Sequence, residues 1–236
     1  VGSQRVSYAV PVIFDVQPKH GPTAGGTPLT ITGAFFSRSG SVTLGGRDVE
    51  CDSWTERDLR CKVPEGSGED QEVVVFVAGQ RSDWSGLSSS ALFSYDPPSI
   101  ASIFPPSAGT EGGTVVTIQG ENLGSGVGGK DALEFSVQIT CGPGSEPGCV
   151  PETCGPSSPG WRSIPAENIR TANHTTIEFE MPEGAGRVLF DVAVGNQTAS
   201  VPVQFAYEPP MLRQVQPRSS STTGCAQWEP RSRWQQ

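Results

Sequence analysis

Few side chains in this sequence have the types and spacing that enzyme chemistry or metal binding requires. It contains two histidines, His20 and His174, and neither stands near a Ser or Cys nucleophile motif. Residues 124–130, Gly-Ser-Gly-Val-Gly-Gly-Lys, resemble a phosphate-binding loop, but Asp131 stands where that motif has Ser or Thr. The sequence therefore predicts no enzyme activity, no catalytic residue, no cofactor and no metal site.

One turn of the chain is strongly acidic. Its members are Glu65, Glu69, Asp70 and Glu72. These residues lack the Asp-x-Asp-x-Asp-Gly spacing of a calcium loop, so we interpret the segment as a solvated acidic turn.

The aromatic residues form two groups. Trp54, Trp84 and Trp161 are predicted to lie in loops, where an exposed indole could contact a protein or a glycan. Trp161 is the preferred recognition residue, and its alternative is packing beneath the neighbouring Cys-rich loop. The second group recurs at corresponding positions of internal repeats and is predicted to pack in a core or between domains: Phe14, Phe93, Tyr95, Phe104, Phe205 and Tyr207.

Those internal repeats are the main organising feature of the chain. The matching segments are residues 11–18 with 98–105, 25–33 with 112–120, 63–68 with 181–186, and 93–98 with 205–210. They share, in order, a Pro-bounded strand, a Gly-Gly-Thr segment, a Pro-Glu-Gly turn and an aromatic strand. The offset between the copies grows from 87 residues at the Gly-Gly-Thr segment to 118 at the turn, which predicts an insertion within residues 121–168.

The repeats predict the domain organisation. Residues 11–97 form a first repeat, and residues 98–209 form a second repeat that carries the Cys-, Gly- and Pro-rich insertion. Residues 1–10 are predicted to be the last strand of a preceding repeat, because Val6-Ser7-Tyr8 stands 87 residues before Phe93-Ser94-Tyr95. Residues 210–236 are predicted to begin a truncated further repeat with an irregular tail. The chain is therefore interpreted as part of a longer tandem array.

Each repeat has the pattern of about seven short strands. Apolar residues alternate with polar ones around Leu29 and Ile31, and around Val73 and Val75, between Gly, Pro and Ser clusters. With Gly and Pro numbering 29 and 21, this pattern favours an all-β fold of tandem immunoglobulin-like sandwiches. Consecutive prolines, such as Pro97-Pro98, predict a semi-rigid joint between repeats.

Two cysteines of the first repeat have apolar counterparts in the second. The offset of 118 places Ile169 and Phe179 opposite Cys51 and Cys61. This exchange predicts a Cys51–Cys61 disulfide across neighbouring strands, replaced by apolar contact in the second repeat. The alternative is a pair of free thiols in the core of an intracellular protein.

The insertion carries three further cysteines, Cys141, Cys149 and Cys154. A segment so rich in Gly and Pro needs a covalent link to stay ordered, so a disulfide within this group is predicted as possible, with its connectivity open. Their spacings of eight and five residues differ from the short paired spacings of zinc sites.

Two N-glycosylation sequons occur, at Asn173 and Asn196. Both are predicted to lie in exposed loops of the second repeat. The alternative is that both are ordinary loop asparagines.

The repeated motif resembles that of the IPT/TIG domain, the immunoglobulin-like domain shared by plexins and some transcription factors. The resemblance rests on Pro-x-Ile-x-x-Val/Ile-x-Pro, Gly-Gly-Thr-x-Leu/Val-Thr-Ile-x-Gly, a Cys-containing hairpin and a Pro-Glu-Gly turn, and it covers residues 11–217. It implies an E-set type sandwich and a non-catalytic, extracellular or cell-surface array of receptor or adhesion type.

The net charge of −9 disfavours nucleic acid as a partner. The expected partners are a protein or glycan ligand at the cell surface and neighbouring repeats of the same chain. Contact with a membrane is expected only through an anchor outside this sequence. Two alternatives are accessory domains of a secreted carbohydrate-active enzyme and an intracellular IPT-type transcription factor.

Overall fold

The structure is a computed structural model. It describes residues 9–84, 91–124, 135–141, 162–164, 166–199, 201, 203–209 and 211. Two cysteines and one tryptophan singled out above, Cys149, Cys154 and Trp161, lie outside the described residues.

The regular secondary structure of the described residues is almost entirely β-strand. Strands in the first repeat are β1 (Val12–Gln17), β2 (His20–Gly21), β3 (Pro28–Ala34), β4 (Ser41–Leu44), β5 (Arg47–Trp54), β6 (Asp58–Lys62), β7 (Gln71–Val77), β8 (Gln80–Arg81), β9 (Asp83–Trp84) and β10 (Leu92–Tyr95). Strands in the second repeat are β11 (Ser99–Phe104), β12 (Ser107–Ala108), β13 (Val115–Glu121), β14 (Phe135–Cys141), β15 (Arg162–Ser163), β16 (Ile169–Ala172), β17 (Thr176–Glu180), β18 (Arg187–Val194), β19 (Gln197–Thr198) and β20 (Val203–Tyr207). A short 3-10 helix, Ala166–Asn168, precedes β16.

In the first repeat, strand β5 connects two layers. Its first half pairs with β4, which continues through β7 and β10 to β2. Its second half pairs with β6, which continues through β3 and β1 to β9. Apolar side chains from both layers enclose a single hydrophobic core. This arrangement is the predicted immunoglobulin-like sandwich.

The second repeat has the same two layers as separate sheets. One sheet has the order β11-β13-β17-β16, and the other has the order β12-β20-β18-β14-β15 with β19 beside β18. A second hydrophobic core lies between them. Strand β14 pairs with β18 as β4 pairs with β7, so the predicted insertion flanks a regular strand of the fold.

The alternating apolar residues face inward as predicted. Leu29 and Ile31 on β3, and Val73 and Val75 on β7, are all buried. On β10, Phe93 and Tyr95 are buried as well, with their rings edge to face. Burial on one face of a strand and exposure on the other is what the period of two requires.

Two predictions of aromatic packing in a core are wrong. Phe14 is 51% exposed and Phe104 is 74% exposed. A bulge between Ile13 and Asp15 shifts the register of β1, so Ile13 and Val16 are the residues that enter the core.

The loop prediction for two tryptophans is also wrong. Trp54 ends strand β5, packs against the first core and donates from its indole Nε1 to the Phe36 carbonyl at 2.8 Å. Trp84 belongs to strand β9. Polar neighbours concealed both strand positions: Trp54 pairs with Leu59 in the β5–β6 hairpin, and Trp84 pairs with Ile13 of the distant strand β1.

The Gly-Gly-Thr and Pro-Glu-Gly motifs meet in space. Gly25 packs on Pro64, where an added Cβ would lie 2.5 Å from the Pro64 carbonyl carbon, and the Gly26 amide donates to the Val63 carbonyl at 2.7 Å. The Tyr95 hydroxyl donates to the Pro64 carbonyl at 2.9 Å. The second repeat builds the same cluster, in which the Tyr207 hydroxyl donates to the Pro182 carbonyl at 2.8 Å.

This cluster makes the stability of the first repeat depend on pH in the alkaline range. Burial raises the pKa of Tyr95 to about 12, above its usual value of 10.0. Because Tyr95 is harder to deprotonate in the folded chain than in the unfolded chain, its contribution to stability is fully present below pH 10 and is lost as pH rises from 10 to 12. Chemical denaturation across this range is expected to show a smaller pH-dependent loss in Tyr95→Phe. If the unfolding free energy fell equally with pH in the parent chain and in Tyr95→Phe, Tyr95 would not be the source of the pH dependence.

Candidate functional site

The functional surface best defined by the described residues is the joint between the repeats. The carboxy-terminal end of the first repeat faces the β16–β17 and β18–β19 turns of the second. Thr23 donates from its amide to Oδ1 of Asn122 at 3.2 Å, and its hydroxyl lies 2.9 Å from Nδ1 of His174. His174 Nε2 lies 3.5 Å from Oε2 of Glu65.

A second group of bonds crosses the joint at the β18–β19 turn. Gln197 is 6% exposed and donates from Nε2 to the Tyr95 carbonyl at 2.9 Å. The Glu69 amide donates to Oδ1 of Asn196 at 2.8 Å. A buried donor that satisfies a buried carbonyl is costly to remove, so these bonds hold one repeat against the other.

The segment that leads into the joint is anchored to the first repeat. His20 Nδ1 lies 2.9 Å from Oδ1 of Asp96, and the Asp96 amide donates to the Gly21 carbonyl at 2.8 Å. Asn122 Nδ2 reaches the Pro97 carbonyl at 3.4 Å. The double-proline segment is therefore fixed from both repeats, in keeping with a semi-rigid joint.

Two members of the acidic turn take part in this joint. Glu65 approaches His174 and Glu69 approaches Gln197, and both glutamates remain largely exposed. Glu72 instead forms an ion pair with Arg81 within the first repeat. The turn is thus solvated and also supplies carboxylates to the inter-repeat contact.

Thr23, His174 and Glu65 have the hydroxyl, imidazole and carboxylate order of a catalytic triad. Thr23 is only 1% exposed and lies beneath the second repeat. A substrate carbonyl cannot reach a hydroxyl enclosed in this way, so the arrangement is a structural contact. Among the described residues, no group of three or more His, Cys, Asp or Glu side chains could hold a metal ion.

Both sequons lie on exposed turns that border the joint. Oδ1 of Asn173 accepts from the Thr175 amide at 2.9 Å, the Thr175 hydroxyl at 3.0 Å and the Thr176 amide at 2.8 Å. Asn196 uses its Oδ1 toward Glu69, as given above. A glycan is attached through Nδ2, and neither asparagine uses Nδ2 in a hydrogen bond to another described residue.

The structure contains a disulfide between Cys51 and Cys61, which stand directly opposite each other on β5 and β6. At the corresponding place Ile169 stands opposite Phe179 on β16 and β17. In each repeat a bulge follows the pair. The covalent pair of one repeat and the apolar pair of the other thus occupy the same place in the fold. Cys141 ends strand β14, and any partner in the insertion remains a prediction.

The sequence indicated Asn196 and Gln197 only as parts of a sequon and His174 only as a histidine without a catalytic motif and as part of the other sequon, and it did not indicate Thr23. The available signal was positional: a β-hairpin turn of the second repeat carries Gln197 where the first repeat carries Gln80. Position alone cannot show which turn meets the neighbouring repeat.

Within the described part of the chain, no helix is long and apolar enough to cross a bilayer.

The family model for the IPT/TIG domain matches residues 11–95 and 98–142. Plexin-2 of Caenorhabditis elegans is 35% identical over 127 residues, which are 51% of this chain and 7% of that protein. Human fibrocystin-L is 32% identical over 116 residues, which are 48% of this chain and 3% of that protein.

The chain therefore corresponds to a small part of these relatives. Among solved structures, the surface glycan-binding protein PbSGBP-B from Prevotella bryantii covers 85% of the chain at 14% identity with a TM-score of 0.47, and 43% of that structure is matched.

Proposed function

Because this chain belongs to the IPT/TIG domain family, we propose that its repeats are neighbouring domains of a non-catalytic extracellular or cell-surface array. In this role the repeats hold a fixed spacing and present their surface to a protein or glycan ligand. The observation that carries the proposal is the joint, where the buried Gln197 side chain bonds to the Tyr95 carbonyl. A spacer needs such contacts because two domains joined only by a flexible linker move independently.

The disulfide supports the extracellular part of the proposal. Disulfides persist in oxidising compartments and are rare in the cytosol. The similarity to plexin-2 and fibrocystin-L supports this location. The chain matches only 7% and 3% of these two relatives, so the similarity does not extend to the activity of a whole protein.

Glycans at Asn173 and Asn196 are part of the same proposal. Both asparagines are exposed, and the hydrogen bonds described above use Oδ1 of each side chain and not Nδ2. Sugars attached there would surround the joint and leave the first repeat's outer sheets open to a ligand. Trp161 remains the proposed recognition residue of the insertion.

Non-reducing peptide mapping of the protein from its native source tests the location. We expect a peptide pair linked through Cys51 and Cys61, together with glycan mass at Asn173 and Asn196. Free thiols with unmodified asparagines would contradict the extracellular assignment and favour an intracellular one. A linked peptide pair without glycan mass would support the extracellular location and contradict glycosylation at Asn173 and Asn196.

The spacer role predicts that Gln197→Ala uncouples the repeats. The change leaves the buried Tyr95 carbonyl without its donor, which costs about 1–3 kcal/mol. NMR relaxation is expected to give one tumbling time for the parent chain and two different times for the variant.

The matched control is Gln80→Ala, at the equivalent turn of the first repeat. This change is expected to leave the tumbling of the chain unaltered. Coupled tumbling in Gln197→Ala would show that the joint does not depend on this bond.

A further inference from the structure

The amino-terminal end of the first repeat corresponds, position by position, to the surface through which the second repeat contacts the first. Phe35 corresponds to Asn122, and both have left-handed backbones with φ of 63° and 57°. The following residue in each repeat is fully buried and donates its amide to a turn carbonyl, Phe36 to Glu56 and Leu123 to His174. The backbone that shapes the joint is therefore present a second time.

The hairpin turns correspond as well. Gln80 pairs with Val77 as Gln197 pairs with Val194. Gln197 is the residue that donates to the Tyr95 carbonyl across the occupied joint. Gln80 is the residue in the same place at the other end of the first repeat, and it is not buried.

This end of the first repeat contains an open pocket. A cavity of about 690 Å³ is lined by Ala34, Phe35, Glu56, Arg57, Val77 and Gln80, among others. We name these six residues the amino-terminal seat. Three members of the seat, Phe35, Glu56 and Gln80, correspond to Asn122, His174 and Gln197, the residues through which the second repeat contacts the first.

Phe35 gives the seat its most unusual feature. Its ring is 57% exposed, and its φ of 63° is strained for a bulky side chain, whereas Asn adopts this region readily. Strain of this kind persists where a residue serves a contact. An exposed aromatic ring that lines an open pocket points to a contact surface for another domain.

We propose that the amino-terminal seat binds the carboxy-terminal end of another IPT/TIG repeat that precedes residue 11 in the same protein. The proposal rests on the tandem array proposed above. We propose this occupant because of the joint within this chain. There the corresponding surface of the second repeat contacts the carboxy-terminal end of the first repeat. The sequence Val6-Ser7-Tyr8, which repeats as Phe93-Ser94-Tyr95, is what the end of such a repeat contains.

The seat also selects among repeats. Glu56 stands where the second repeat has His174, and Arg57 stands where it has Thr175. A repeat with a carboxylate at the position of Glu65 would meet the Glu56 carboxylate and be repelled. The occupant is therefore expected to present an amide or a cation to Glu56 and an apolar group to the Phe35 ring, so neighbouring joints are not interchangeable.

Hydroxyl-radical footprinting tests the proposal on two proteins: this chain alone and the protein as its natural gene encodes it. Oxidation of Phe35 is expected to fall at least threefold in the natural protein. Phe14 is the internal control, since it has the same side chain and a similar exposure of 51% but does not line the seat. Its oxidation is expected to stay unchanged.

Equal oxidation of Phe35 in the two proteins, or a natural protein with no repeat before residue 11, would overturn the proposal. Protection in this chain alone that grows with protein concentration would assign the seat to a second copy and overturn it as well. Peptide mapping reports the compartment independently, so failure of the extracellular assignment would leave Phe35 protection intact.

A variant gives a second readout. Phe35→Asn relieves the backbone strain, so the Tm of this chain alone is expected not to fall. In the natural protein the same change is expected to restore oxidation of the other seat residues. Continued protection of the seat in Phe35→Asn would show that the ring does not make the contact.

Discussion

Gly25→Ala is expected to destabilise the first repeat by about 2–5 kcal/mol. The added Cβ would lie 2.5 Å from the carbonyl carbon of Pro64 and 2.6 Å from its oxygen, which are backbone atoms that cannot rotate away. The φ of +70° adds strain of its own. Chemical denaturation followed by hydrogen exchange of first-repeat peptides measures the loss.

The neighbouring glycine provides a matched control. Gly26 has a φ of +78°, but an added Cβ would meet nothing within 4 Å. Gly26→Ala is therefore expected to cost about 1 kcal/mol, the strain alone. Equal losses in the two variants would show that conformation, and not contact with Pro64, explains why the motif has two glycines.

Removal of the Cys51–Cys61 disulfide is expected to cost the first repeat about 2–3 kcal/mol and the second repeat almost nothing. The bond closes a loop with a sequence separation of 10, so its loss frees the unfolded chain of that repeat. Ile169 and Phe179 occupy the equivalent pair in the second repeat and are not reducible. Hydrogen exchange with and without a reducing agent, compared between peptides of β6 and β17, separates the two repeats.

Cys51→Val with Cys61→Val is the control for the disulfide experiment. The double variant keeps an apolar pair at the site, so a reducing agent is expected to leave its β6 exchange unchanged. A reduction-induced loss of equal size in both repeats of the parent chain would contradict the assignment.

The repeat arrangement explains why much of the fold was predictable from sequence. In a strand with one buried face, every second residue is apolar. Leu29 and Ile31 follow this pattern, and both are buried in the structure. The cysteine exchange was predictable because two copies of one fold place Cys61 and Phe179 at the same core position, where both are buried.

Other features depend on contacts between distant residues. The bulge in β1 turns Phe14 outward, and a bulge is not visible in a hydrophobic pattern. The joint depends on Thr23 and Gln197, which are ordinary turn residues until a second repeat covers them. Their role follows from tertiary packing, which residue type and spacing do not specify.

The repeated backbone at the ends of the domains determines the path of the array. If every joint used the same contacts, each repeat would add the same rotation and translation, and the array would follow a regular helix. Exchanging Asn122 for Phe35 on the same left-handed backbone changes what fills a joint without changing the sandwich. In the proposed array, the curvature therefore depends on a few residues at the ends of the domains and can differ from one joint to the next.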